Sequence, residues 1–195
     1  MLALAAVAVV GCGGERQDAD EPEGNFKVDV VKASFPEKQK LAKTSDLVIT
    51  VKNAGDRAIP NIAVTVNGFD RRVDDPTLAD PSRPVFVVNG RKANIGGLPE
   101  SKDAAPDGCE TAYVDTWACG RLAPGRGHTF RWTVTAVEAG PYKLRYEVAA
   151  GLNGKAKAVD ASGNRPSGQF AGTISDAAPN VRVADDGKTI VEGQR

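Results

Sequence analysis

The chain has 195 residues, with 25 basic and 25 acidic side chains balancing to a formal net charge of zero, and a single histidine and methionine. This length suits one domain with elaborations. The dispersed charge offers nucleic acid no clustered basic face, and one His with one Met makes a poor copper or zinc ligand set.

Residues 1–11, MLALAAVAVVG, are uncharged. As a helix they would cover roughly 16 Å, about half the hydrocarbon thickness of a bilayer, so they cannot span one. Ala-rich sequence ending in glycines is also a poor strand. The stretch Leu2 to Val10 has the length of the apolar core of a secretory leader. Val9-Val10-Gly11-Cys12 resembles the lipobox of bacterial lipoproteins: two aliphatic or small residues, Gly or Ala, then Cys. The resemblance implies that 1–11 is a signal peptide and that Cys12 becomes the first mature residue, its thiol carrying a diacylglyceryl group. Such leaders open on a positive charge, which a translation start upstream of Met1 would supply. Residues 12–25 then read as the lipidated Cys and an acidic tether. Positions 13–24 hold five acids and one base, with no aromatic or β-branched residue.

From Phe26 the apolar period is two. Its phase slips between Val30 and Val31, which predicts a bulge or a change of strand partner. Leu47, Ile49 and Val51 alternate with polar neighbours, blurred by Val48. Between about 67 and 120 lies a long insertion. It contains the Asp- and Arg-rich segment Phe69 to Asp75, a strand near Pro84 to Val88, a Gly/Pro loop over Asn89 to Gly108, and Thr111 to Trp117. Loops this long are usually functional or disordered, so the insertion is the expected recognition element. Phe130 to Ala136 and Tyr142 to Val148 alternate without exception, as half-buried antiparallel strands do. A further strand is expected near Gln169 to Ile174. Residues 176–195 read as an extension with a hairpin through Val181 to Val183 and Thr189 to Val191. Gly/Pro turns separate the runs, and no window of a dozen residues carries a helical stripe.

The fold class expected is therefore all-β: an Ig-like antiparallel β-sandwich over 26–175, with a long insertion and a C-terminal β extension. Tyr142 resembles the corner tyrosine of immunoglobulin-type domains, with Leu144 in place of the second core cysteine. The resemblance implies a core packed by Trp132, Phe130, Leu144 and Tyr146 in place of an inter-sheet disulfide. Asp46 to Val66 and Leu122 to Val137 resemble hairpin elements of bacterial cell-surface, cell-adhesion-related Ig-like repeats. That family implies surface display and adhesion, and no catalytic residue.

Chemistry is sparse. In an exported chain the remaining cysteines, Cys109 and Cys119, read as a structural disulfide, because their nine-residue spacing matches neither a C-x-x-C redox pair nor a zinc motif. His128 reads as an exposed turn residue, and Trp117 as a side chain packed over the disulfide. Asp70, Asp74, Asp75 and Asp80 are interspersed with Arg71, Arg72 and Arg83 and read as a self-neutralising surface loop rather than a calcium site. No nucleophile-elbow, phosphate-loop or zinc-protease motif occurs. The expectation is a lipid-anchored module on the extracytoplasmic face of the cell membrane, with an envelope protein or polysaccharide as partner, no nucleic acid, no metal and no cofactor. The alternatives are an envelope hydrolase and a transporter-associated solute-binding lipoprotein.

Overall fold

The computed structural model describes residues 20–69, 71–74, 76, 82–88, 109–176, 181–183 and 190–192, and among these there are strands and no helix. In chain order the strands are β1 (Gly24–Ser34), β2 (Lys38–Lys40), β3 (Thr44–Asn53), β4 (Ala63–Asn67), β5 (Arg72–Asp74), β6 (Ser82–Pro84), β7 (Phe86–Val88) and β8 (Glu110–Tyr113). They continue with β9 (Thr116–Ala118), β10 (Gly127–Ala136), β11 (Gly140–Ala149), β12 (Ala156–Val159), β13 (Ser167–Ser175), β14 (Val181–Val183) and β15 (Ile190–Glu192).

Two sheets form the sandwich, ordered β12-β1-β3-β10-β7 and β2-β13-β11-β4-β9-β8. The first contains the A-B-E-D order of an Ig-like sandwich and the second its G-F-C order, so the chain is an all-β, Ig-like domain. Each long strand turns one face inward. In β11, Tyr142, Leu144, Tyr146 and Val148 are buried while Lys143, Arg145 and Glu147 are exposed. In β10, Phe130, Trp132, Val134 and Ala136 are buried opposite Leu47, Ile49 and Val51 of β3. The phase slip in β1 is a bulge: the β1–β3 register shifts between Val30 and Lys32, leaving Val31 62% exposed.

Three findings differ from the sequence expectation. First, three strands of the insertion, β7, β8 and β9, belong to the sandwich. Strand β7 completes the first sheet and the β8–β9 hairpin extends the second, burying Val85, Phe86, Val88 and Trp117. The hairpin lies beside β4, where variable-type domains carry C′ and C″, but the chain reaches it from β7. The strand expected near Pro84 to Val88 is present as β7; what a three- or four-residue strand's pattern does not show is which sheet it joins. Residues 89–108, the middle of the insertion, lie outside the described set.

Second, the fold begins before Phe26. Strand β1 starts at Gly24 and pairs in parallel with β12, and Glu21, read as tether, is buried. Its Oε2 accepts the backbone N–H groups of Leu152 and Asn153 at 2.6 and 2.8 Å, and its Oε1 accepts that of Ala156 at 2.7 Å. A carboxylate with three amide donors is a strong, charge-assisted anchor.

Third, Tyr142 is not a conventional tyrosine corner. Its hydroxyl donates to the carbonyl of Pro36, 106 residues away, where the chain crosses from β1 in one sheet to β2 in the other. Trp132 and Leu144 are each 1% exposed, in the core where the sequence puts them. Strands β14 and β15 pair with each other, as do β5 and β6.

Candidate functional site

The β8–β9 hairpin and the side chains at its base form the most distinctive local structure. Among the described residues, strand β8 ends its sheet, paired on one side with β9. The register shifts between Thr111 and Tyr113, and the turn residue Asp115 has φ of 58°, a left-handed conformation that Asp tolerates better than most residues. The Asp115 carbonyl accepts the N–H of Val66, and the hydroxyls of Thr65 and Thr116 meet at 2.8 Å, so the hairpin is stitched to β4.

Trp117 holds the underside. It is 1% exposed, with its ring 5.2 Å from that of Trp132 and 6.4 Å from that of Phe69. At the outer end, Tyr113 is 47% and Val114 80% exposed. An aromatic residue at the end of a strand and an aliphatic one in the turn that follows can serve as a contact surface for another chain.

The opposite end of the hairpin is closed covalently. Cys109 and Cys119 stand one position beyond the paired residues Glu110 and Ala118 and form a disulfide. His128 is not the exposed turn residue that its place in the sequence suggests. His128 is half-buried in β10, its Nε2 lies 3.3 Å from Cys109 Sγ, and its ring is 5.0 Å from that of Phe130. The signal was present in the period of two, since 128, 130 and 132 share the inward face; the flanking Gly127 and Thr129 hid it. Donor atoms of Cys109, Cys119 and His128 all lie within 4.8 Å of one another.

Asp46 accepts from the Thr133 hydroxyl at 2.9 Å and from the Arg131 guanidinium at 2.8 Å, and these donors hold its carboxyl below the usual range. Burial pushes the phenols of Tyr142 and Tyr146 above the ordinary tyrosine value. Asp74 lies on β5, whereas Cys12, Asp70, Asp75 and Asp80 fall outside the described residues. Two of the open grooves are lined by described residues. One, of about 490 Å³, lies between Asn25–Lys27 and Ala54–Arg57; the other, of about 680 Å³, lies between Val28–Val31 and the loop before β13. Arg57 sits over the Phe26 ring in the first, 4.6 Å from its centroid. The second is lined by Asp29, Asp160, Ser162 and Ser167 among others, and Asp160 Oδ1 accepts the backbone N–H groups of Ser162 and Asn164 at 2.8 and 2.9 Å.

No protein-family model matches the chain, and no curated protein matches it significantly. Among solved structures, the α2-macroglobulin of Escherichia coli is similar over 77% of this chain, with 15% identity and a TM-score of 0.42, and that of Salmonella over 80%, with 18% identity and a TM-score of 0.38. In each case the match spans 7% of the macroglobulin chain. The CARDB domain of a Pyrococcus furiosus protein, solved in complex with di-metal ions, is similar over 77% of this chain and 86% of its own, with 13% identity and a TM-score of 0.39.

Proposed function

We propose that this protein is a lipid-anchored component of the cell envelope whose Ig-like sandwich is a non-catalytic binding or scaffolding module. The anchor is read from Val9-Val10-Gly11-Cys12, whose thiol would carry the lipid. Two acyl chains, at about 0.8 kcal/mol per buried CH₂, hold a protein on a membrane durably, where one does not. In this reading the tether between lipid and domain ends before Glu21, whose carboxylate accepts the N–H groups of Leu152, Asn153 and Ala156.

The observation that supports a binding role is the β8–β9 hairpin, an edge element displaying Tyr113 and Val114 above a buried tryptophan. Its partner in this reading is an envelope protein or polysaccharide. The anchor is tested by Cys12→Ala: the expected result is release from the membrane or an uncleaved leader, and normal retention refutes it. Mass spectrometry of native material is expected to find an acylated Cys12 as the first residue. The binding surface is tested by a photo-cross-linking residue at position 114 in intact cells. A discrete adduct that a control at Lys143, on the β11 outer face, does not give supports the surface, and the same background at both positions argues against it.

A further inference from the structure

We propose that Cys109, Cys119 and His128 are a latent metal site: when the disulfide is reduced, the two thiolates and the imidazole Nε2 bind one thiophilic d¹⁰ cation, Zn²⁺ or Cu⁺. The three residues come from both sheets. The cysteines end the β8–β9 hairpin in one, and His128 opens β10 in the other. Cys109 Sγ and His128 Nε2 are already 3.3 Å apart, and all three donors lie within 4.8 Å of one another.

A tetrahedral zinc with Zn–S of about 2.3 Å and Zn–N of about 2.0–2.1 Å needs its donors roughly 3.5–3.8 Å apart. The sulfurs must separate from about 2.05 Å to that distance, and the sulfur–nitrogen pairs, 3.3 Å for Cys109 and within 4.8 Å for Cys119, adjust toward it, changes that cysteine rotamers can supply. Two sulfurs and one imidazole are a soft donor set. It leaves zinc a fourth position for water, and it suits trigonal Cu⁺ as it stands.

Opening the site is thiol–disulfide exchange with a dithiol reductant. Its thiolate attacks Cys119 Sγ, because Cys109 is the more buried of the pair, and the Cys109–Cys119 bond breaks with Cys109 leaving as thiolate. The reductant's second thiol then attacks the mixed disulfide, freeing Cys119, and the reductant departs as its own disulfide. Two electrons pass to the protein sulfurs and none to the cation. Oxidised, the hairpin is closed on itself; reduced and metallated, it is tied to β10.

The test uses the full chain with Cys12→Ser, so that Cys109 and Cys119 are the only thiols. Oxidised and phosphine-reduced protein are titrated with Zn²⁺ alone and, anaerobically, with Cu⁺ alone, each against a chromophoric chelator; Co²⁺ reports thiolate coordination by its charge-transfer absorption. The expected result is one cation per reduced chain and none in the oxidised chain, a raised thermal midpoint of the reduced protein with metal, and affinity at least about tenfold weaker in His128→Gln. Binding of neither cation by the reduced chain, folded or not, overturns the proposal. Equal affinity in His128→Gln, or equal binding by the oxidised chain, overturns it as well.

Discussion

The hydroxyl of Tyr142, at the start of β11, donates to the carbonyl of Pro36, at the crossing from β1 to β2. One phenol thereby fastens the point where the first strand leaves one sheet for the other. Phe35 packs its edge against the Tyr142 ring, and Gln39 Nε2 donates to the same carbonyl at 3.2 Å. Because the carbonyl keeps that second donor, Tyr142→Phe is expected to cost only about 1 kcal/mol, whereas Tyr142→Ala, which also empties the aromatic site, costs about 3–5 kcal/mol. Urea unfolding of the two variants separates the hydroxyl from the ring.

The same crossing depends on a glycine. In register, Tyr142 pairs with Gly172 and Tyr146 with Gly168. A Cβ on Gly172 would stand 2.0 Å from the Glu37 carbonyl oxygen, and one on Gly168 2.6 Å from the Tyr146 ring. A ring can tilt more readily than a backbone carbonyl that already accepts the N–H of Thr173 can move. Gly172→Ala is therefore expected to lose about 3 kcal/mol or more, and Gly168→Ala about 1–2 kcal/mol. Thermal unfolding that ranks them the other way would contradict this account of the crossing.

Glu21 ties the start of the fold to the loop before β12. Glu21→Ala leaves three amide donors to water and is expected to cost about 2–3 kcal/mol, with Glu21→Gln intermediate. Hydrogen exchange should accelerate at Leu152, Asn153 and Ala156 and stay unchanged in β10.

Acid and alkali should weaken the fold through different residues. Asp46 has a lowered pKa in the fold, so its contribution is present above the ordinary carboxylate value and fades as pH falls below about 4. Its side chain is 43% exposed, so Asp46→Asn should cost less than about 1 kcal/mol and flatten the acid limb. Tyr142 and Tyr146 have raised values, so their contribution is complete below about pH 10 and is lost as pH rises beyond it. Stability measured from pH 8 to 12 should fall less steeply in Tyr146→Phe.

Removing the disulfide with Cys109→Ser and Cys119→Ser should cost about 3 kcal/mol, the chain entropy of a loop of this length. Trp117, buried against Trp132 and Phe69, should keep the hairpin docked. Near-UV circular dichroism that retains its tryptophan signal in the double variant would bear this out.

What the sequence by itself determined was the class of fold and much of its inner face. Period-two alternation needs only the local pleat, so Phe130, Trp132, Tyr142 and Leu144 declared their burial without reference to any other strand. The disulfide was legible too, because an even pair of cysteines in a chain read as exported is expected to join. Tertiary structure alone decided the non-local relations: Pro36 beneath Tyr142, Glu21 in the 152–156 loop, and the insertion's short strands at the sheet edges. It also placed His128 against Cys109, across the two sheets. A single strand's pattern says which way a side chain faces but not which element it will meet, since that follows from the order of strands in the sheets and from how the two sheets stack.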